Sequence, residues 1–106
     1  MKGATAVYLK LLVEKAHEEG LDPGGTLIQK GMYLLSDALG ADLDLHFEAY
    51  LYGPYSKEVD DLVDYLKWRG DLDKPPADVA PEVRKKVGWV IALFKEAEKR
   101  FPQYAD

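Results

Sequence analysis

With 106 residues, the chain holds material for one ordinary domain around one hydrophobic core, and too little for a second. An apolar fraction of 47% and a charged fraction of 31% exclude a disordered chain, and the absence of cysteine excludes a disulfide framework or a thiolate metal centre. A net charge of −5, from 14 basic and 19 acidic side chains, sets the surface against phosphate backbones unless the bases gather on one face. They gather only in part. Residues 26–53 carry Lys30 against Asp37, Asp42, Asp44 and Glu48, whereas Arg84-Lys85-Lys86, Lys95, Lys99 and Arg100 lie in a balanced C-terminal third. The apolar run Val7 to Val13 is interrupted by Lys10 and followed by Glu14 and Lys15, unlike an export signal. Nothing approaches the ~20 apolar residues that span a bilayer. The expectation is one cytoplasmic domain over 1–106 with no membrane partner.

Four segments repeat every three to four residues. The first helix is predicted from Ala4 to Glu19, with Tyr8, Leu9, Leu12, Val13 and Ala16 on one stripe and Gly20 as its cap. After the turn Leu21-Asp-Pro-Gly-Gly25, Thr26-Leu-Ile-Gln29 has the pattern of a capping box, in which Thr26 and Gln29 satisfy each other's amides. Ile28, Met32, Leu35 and Leu39 form the buried stripe of the second helix, and Gly40 ends it. Gly31, disfavoured in a helix by ~1 kcal/mol relative to Ala, suggests another backbone approaching closely.

Residues 45–52 change period. Leu45, Phe47, Ala49 and Leu51 alternate with His46, Glu48, Tyr50 and Tyr52, which predicts a half-buried strand with the first set inward and Gly53-Pro54 as its break. Ser56 is a good N-cap for a third helix, with Glu58, Asp60 and Asp61 near its positive end. Val59, Leu62, Val63 and Leu66 supply its core face and Gly70 closes it. A loop from Asp71 to Asp78 has room for a short strand around Leu72. The fourth helix, about 81–101, opens at Pro81 and buries Val83, Val87, Val90, Ile91, Phe94, Ala97 and Phe101. The expected architecture is mainly α, a four-helix core with a short strand or β-wing.

Catalytic chemistry is hard to place. Ser56 has a structural use as a cap, His17 and His46 fall on polar faces, and neither a His-Glu-x-x-His nor a Gly-x-Ser-x-Gly motif occurs. Gly24-Gly25 precedes a helix N-terminus, where an anion could bind, but without a following Gly-Lys-Ser/Thr it reads as a flexible turn. Asp42/Asp44 and Asp71/Asp73 lack the glycine and terminal glutamate of a calcium loop and read as solvated acids. The expectation is no enzyme, no metal and no cofactor. A ligand-sensing or metal-dependent enzyme is the remote reading.

Aromatic residues say more. Tyr50, Tyr52 and Tyr55 crowd around Gly53-Pro54, and Tyr33 falls in the same region; such a cluster serves to brace a turn or to meet a partner. On the fourth helix, Trp89 and Leu93 lie off the main stripe. They widen its apolar face enough to be wrapped by other helices or to pair with a partner or a second copy.

Ile28-Gln-Lys-Gly-Met-Tyr-Leu-Leu35, then Phe47-Glu-Ala-Tyr-Leu-Tyr-Gly-Pro-Tyr-Ser56 and a helix ending at Gly70, resembles the YwgA-like proteins. Their pattern is Leu-Gln-Lys-Leu-x-Tyr-Leu followed by Phe-x-x-Tyr-x-Tyr-Gly-Pro-Tyr-Ser. The stretch is also similar to the Panacea (SocA-like) antitoxin domain, with Phe-Glu-Ala-Trp-x-Tyr-Gly-Pro-Val. The likeness covers about residues 5–72. Gly31 stands where the pattern has an apolar residue, and Tyr55 where the antitoxin-type proteins have Val, so the YwgA-like group is the closer fit. The resemblance implies a helical, winged-helix-like domain without catalytic residues, of which the Panacea members neutralise toxins by direct contact.

Two functions are expected from these observations. The first is a protein-interaction module, antitoxin-like or regulatory, that meets a toxin or a regulator through Tyr50, Tyr52, Tyr55, Tyr33 and Trp89, with a homodimer through the fourth helix as a further option. The alternative is a winged-helix DNA-binding regulator using Gln29, Lys30, Arg84, Lys85 and Lys86, disfavoured by the acidic charge and by Glu58, Asp60, Asp61 and Asp64 on the third helix.

Overall fold

The computed structural model describes residues 2–101. Its elements run α1 (Ala4–Glu18), α2 (Gly25–Tyr33), a π-helical turn (Leu34–Ala38) continuing α2, β1 (Glu48–Tyr50), β2 (Gly53–Tyr55), α3 (Lys57–Arg69) and α4 (Pro81–Arg100). The molecule is thus mainly helical, with a small antiparallel hairpin between the second and third helices.

α1 is the spine of the core. Tyr8, Leu9, Leu12, Val13 and Ala16 are buried as their spacing predicts, and Leu11 joins them because α1 is covered on more than one side. Its end is a Schellman turn: Gly20 sits at φ 72°, its amide donates to the His17 carbonyl, and the Leu21 amide donates back to Ala16 at 2.9 Å. At its start, the buried Thr5 hydroxyl donates to the Leu43 carbonyl at 3.3 Å, pinning the segment between α2 and the hairpin.

α2 departs from expectation at both ends. No side chain caps it, and Thr26 is an exposed residue inside a helix that begins one residue earlier. Gln29 does not reach back to Thr26 because its amide is engaged elsewhere, with Ser56. At the far end, the Leu39 amide donates to Leu34, five residues back, and the Ala41 amide then closes on Leu35. The extra residue in this wider turn leaves Leu35 fully buried and Leu39 partly so. The close neighbour of Gly31 is a side chain, not a backbone: a Cβ there would stand 2.6 Å from Leu12 Cδ2.

The segment expected as one strand from 45 to 52 is shorter, and it folds back on itself. Leu45 and Phe47 pack against the core, but β1 covers only Glu48–Tyr50 and is exposed throughout. The register pairs Glu48 with Tyr55, Ala49 with Pro54 and Tyr50 with Gly53, which makes Leu51-Tyr52 the turn. Ala49 and Leu51 therefore face solvent, where alternation had placed them inside. Gly53-Pro54 belongs to the return strand instead of ending the first. Gly53 has φ 118°, a conformation closed to side-chain-bearing residues, so the glycine is required by the strand it opens.

α3 follows its expectation closely. Ser56 Oγ accepts the Val59 amide, Val59, Leu62, Val63 and Leu66 are buried, and Gly70 ends the helix at φ 73°. Residues 71–80 contain no strand. Leu72 and Val79 reach the core from an irregular loop rich in Asp and Pro, whose prolines remove ladder donors. α4 buries Val87, Val90 and Ile91 and partly covers Val83 and Phe94, while Ala97 and Phe101 are exposed because the last turn runs past the core. One contiguous cluster of buried side chains links all four helices. No helix among the described residues is long and apolar enough to cross a membrane.

Candidate protein-interaction site

The hairpin is held by a clamp made from one side chain. The Gln29 Oε1 accepts the Ser56 amide at 2.8 Å, and Gln29 Nε2 donates to the Ser56 carbonyl at 3.0 Å. Both hydrogen-bonding groups of one backbone residue are thus satisfied, much as a neighbouring strand would satisfy them. Ser56 meanwhile caps α3 with its hydroxyl, so the end of β2, the flank of α2 and the start of α3 meet at one residue. Farther out, the Glu58 carboxylate accepts the His46 amide at 2.9 Å and ties the entry to the hairpin to α3.

A cleft of about 570 Å³ lies between this hairpin and the first turns of α2 and α3. Tyr50, Tyr52, Tyr55, Gln29, Lys30 and Asp60 are among its walls. Tyr50 and Tyr55 are diagonal neighbours across the two strands, one paired with Gly53 and the other with Glu48, and their rings pack edge to face with centroids 5.2 Å apart. The Tyr55 hydroxyl donates to Asp60 at 3.1 Å; desolvation first, and then this carboxylate, raise its pKa above the ordinary tyrosine value. The Tyr50 hydroxyl donates to Glu48. Lys57 pairs with Asp61 at 3.0 Å, one helical turn along, which raises the lysine pKa.

The residues singled out from the sequence therefore divide. Tyr50, Tyr52 and Tyr55 come together with Gln29 and Lys30 in one cleft, although they were assigned to different functions. Tyr33 stands apart, packed edge-on against Phe47 at 5.4 Å as a brace beneath the hairpin. Arg84, Lys85 and Lys86 lie in the first turns of α4, and Trp89 follows one turn later; α4 lines no part of the cleft.

At the hairpin tip, Tyr50, Leu51 and Tyr52 are 58%, 88% and 83% exposed. Leu51 was missed as a site residue because alternation assigned it to the core. A second exposed group was missed as well. Tyr65 and Trp68 stack obliquely on the outer face of α3, with the Arg69 guanidinium 5.8 Å above the Tyr65 ring. Their signal was available: both lie off the Val59-Leu62-Val63-Leu66 stripe. Among the described residues, no group of three or more His, Asp or Glu side chains comes together that could hold a metal ion.

In comparisons with known proteins, the chain matches no family model, no curated protein and no solved structure.

Proposed function

We propose that this protein is a non-enzymatic interaction module that captures a protein partner, a toxin or a regulator, with the tip of its hairpin. The observation that carries this reading is the run Tyr50-Leu51-Tyr52, three consecutive large apolar side chains held out in solvent. Tyr50 has intramolecular contacts with Tyr55 and Glu48, but Leu51 and Tyr52 bury little in the monomer. An exposed apolar run of this kind promotes aggregation, so it persists where a binding function uses it. The mounting supports the same reading. The Gln29 clamp and the Ser56 cap anchor the hairpin at its base, and a rigidly presented aromatic loses little conformational entropy on binding.

The antitoxin-like version of this proposal draws on the likeness of residues 28–56 to the Panacea and YwgA-like patterns. The test is capture of a partner from the native host's lysate by the purified chain, followed by the same capture with Leu51→Ser/Tyr52→Ser. Loss of the partner with an unchanged far-UV spectrum and melting temperature supports the proposal. Undiminished capture by the variant makes the tip a surface accident and removes it.

The DNA-binding alternative has one favourable observation, Lys30 in the cleft beside a hairpin that would serve as the wing. Against it, the amide of Gln29 is already committed to Ser56, and a base edge would have to displace those bonds. Arg84-Lys85-Lys86 sits on another element. Duplex titration by fluorescence anisotropy at ~50 mM salt decides this, since a phosphate-binding surface shows a steep salt slope. Trp89 lies on the separate face of α4, where we assign it a second copy of the chain as partner instead of the occupant of the hairpin.

A further inference from the structure

The outward face of α4 carries a pattern that its role in the core does not use. Val83, Val87, Val90, Ile91 and Phe94 face inward. On another side, Glu82, Lys86, Trp89, Leu93, Glu96 and Arg100 follow one another at alternating steps of four and three residues. That spacing puts all six on one stripe of a helix and is the spacing of a coiled-coil seam. Trp89 and Leu93, at its centre, are 51% and 42% exposed in the monomer. Glu82 is exposed and Lys86 half-buried; Glu96 and Arg100 are exposed and pair with each other at 2.7 Å in the monomer, a bridge whose open sides remain free to meet Lys86 and Glu82 of a second copy.

The order of these side chains is self-complementary in one direction only. Two α4 helices laid antiparallel, with the twofold axis at the level of Ile91, set Trp89 of each copy against Leu93 of the other. The same register sets Lys86 against Glu96 and Glu82 against Arg100, each twice by symmetry. The two central layers are then apolar and all four flanking layers join opposite charges. In a parallel pair every layer would face its own kind, Glu82 on Glu82 and Lys86 on Lys86, which like-charge repulsion disfavours. A closed twofold pair is also the commonest way for one surface patch to satisfy itself. We infer that α4 is the interface of an antiparallel homodimer, with Trp89 and Leu93 as its apolar centre and the Lys86–Glu96 and Glu82–Arg100 layers fixing its direction.

One helix face per subunit falls at the small end of specific interfaces, below about 1,200 Å² in total, so the dimer is weak and its formation is concentration-dependent. Its charged flanks are open to solvent, so added salt weakens it further. This inference does not rest on the hairpin, and the two proposals fail separately.

Sedimentation velocity on the full chain, from about 10 μM to about 1 mM, reads it directly. The expected result is a reversible monomer–dimer equilibrium that shifts toward monomer in high salt. Trp89→Ser abolishes the dimer. Lys86→Glu alone, and Glu96→Lys alone, each create two like-charge layers and raise the dissociation constant by about ten-fold. The double variant Lys86→Glu/Glu96→Lys exchanges the charges and restores dimerisation, an outcome that a merely sticky surface does not produce. The hairpin variant Leu51→Ser/Tyr52→Ser dimerises like the parent, and far-UV spectra confirm that all variants are folded. A monomer across the whole range, a dimer indifferent to Trp89→Ser, or a charge exchange without rescue overturns the inference.

Discussion

Gln29 occupies the place that a third strand would take beside the hairpin, using the two ends of one amide to hold one backbone residue. Removing it leaves the part-buried Ser56 amide without that partner, while the Ser56 carbonyl keeps the Asp60 amide at 3.1 Å. Gln29→Ala should therefore lower stability by about 1–3 kcal/mol, read as a shift of the urea midpoint. Gln29→Glu keeps the acceptor for the Ser56 amide but opposes a carboxylate to its carbonyl, and recovers little. Ser56→Ala removes the α3 cap at a cost of about 1 kcal/mol. Because both changes loosen the same junction, the double variant should lose less than the sum of the two. A pH effect belongs to this scale too. Asp71 accepts from Arg69 at 2.9 Å and pairs with Lys74, and these bonds hold its pKa below the ordinary aspartate value. A carboxylate with a depressed folded pKa contributes stability that is present above the ordinary value and is lost as pH falls through the folded one. Asp71→Asn should thus bring its stability closer to that of the parent at about pH 3 than at about pH 7.

At the scale of elements, the contact between α1 and α2 depends on Gly31 having no side chain, since Leu12 fills the space a Cβ would need. Gly31→Ala gains about 1 kcal/mol of helix propensity but compresses a fully buried leucine, an overpacking that typically costs 1–3 kcal/mol. The expected net is a modest loss of stability. In a Leu12→Ala background, itself destabilised by about 2–5 kcal/mol, the same change should turn stabilising, and the double-mutant cycle measures the coupling. The glycine was visible in the sequence as an anomaly. What it accommodates was not, because the occupant comes from a helix some twenty residues earlier. The hairpin shows the same limit. Alternation from Leu45 to Tyr52 is genuine, but a period of two only says which side chains share a face. It does not say that the chain leaves the core after Phe47 and turns at Leu51, so that Ala49 and Leu51 stay in solvent.

Across the whole molecule, α4 supplies one wall of the core. Burying Val87, Val90 and Ile91 contributes about 1.5–3 kcal/mol each, and such a sum is comparable with the 5–15 kcal/mol that holds a typical domain together. A chain ending at residue 80 should therefore lose cooperative unfolding, seen as a missing sigmoidal transition in urea. A cooperative transition in that fragment would show that residues 2–80 fold without α4. Among the described residues, exposed aromatic side chains lie at the hairpin tip, on α3 and on α4, with Phe101 just past the end of α4. Proposing different partners for the hairpin tip and for α4 predicts that variants in one leave the other's binding intact.

Local chemistry in the sequence was sufficient for the helices and most of their ends: the stripes of α1 and α3, that of α4 as far as Phe94, the Ser56 cap, Pro81 at the start of α4, and the glycines at 20, 40 and 70. These depend on neighbours within one or two turns, and such neighbours are written consecutively in the chain. The tertiary structure alone decided where Gln29 spends its amide, since a capping box with Thr26 and a clamp on Ser56 use the same two groups and only packing chooses between them. It also decided that Leu51 stands in solvent and that the tyrosines meet Lys30 in one cleft. Each of these depends on how residues far apart in sequence are assembled, where the free energy of the assembled core outweighs a local preference worth about a kilocalorie.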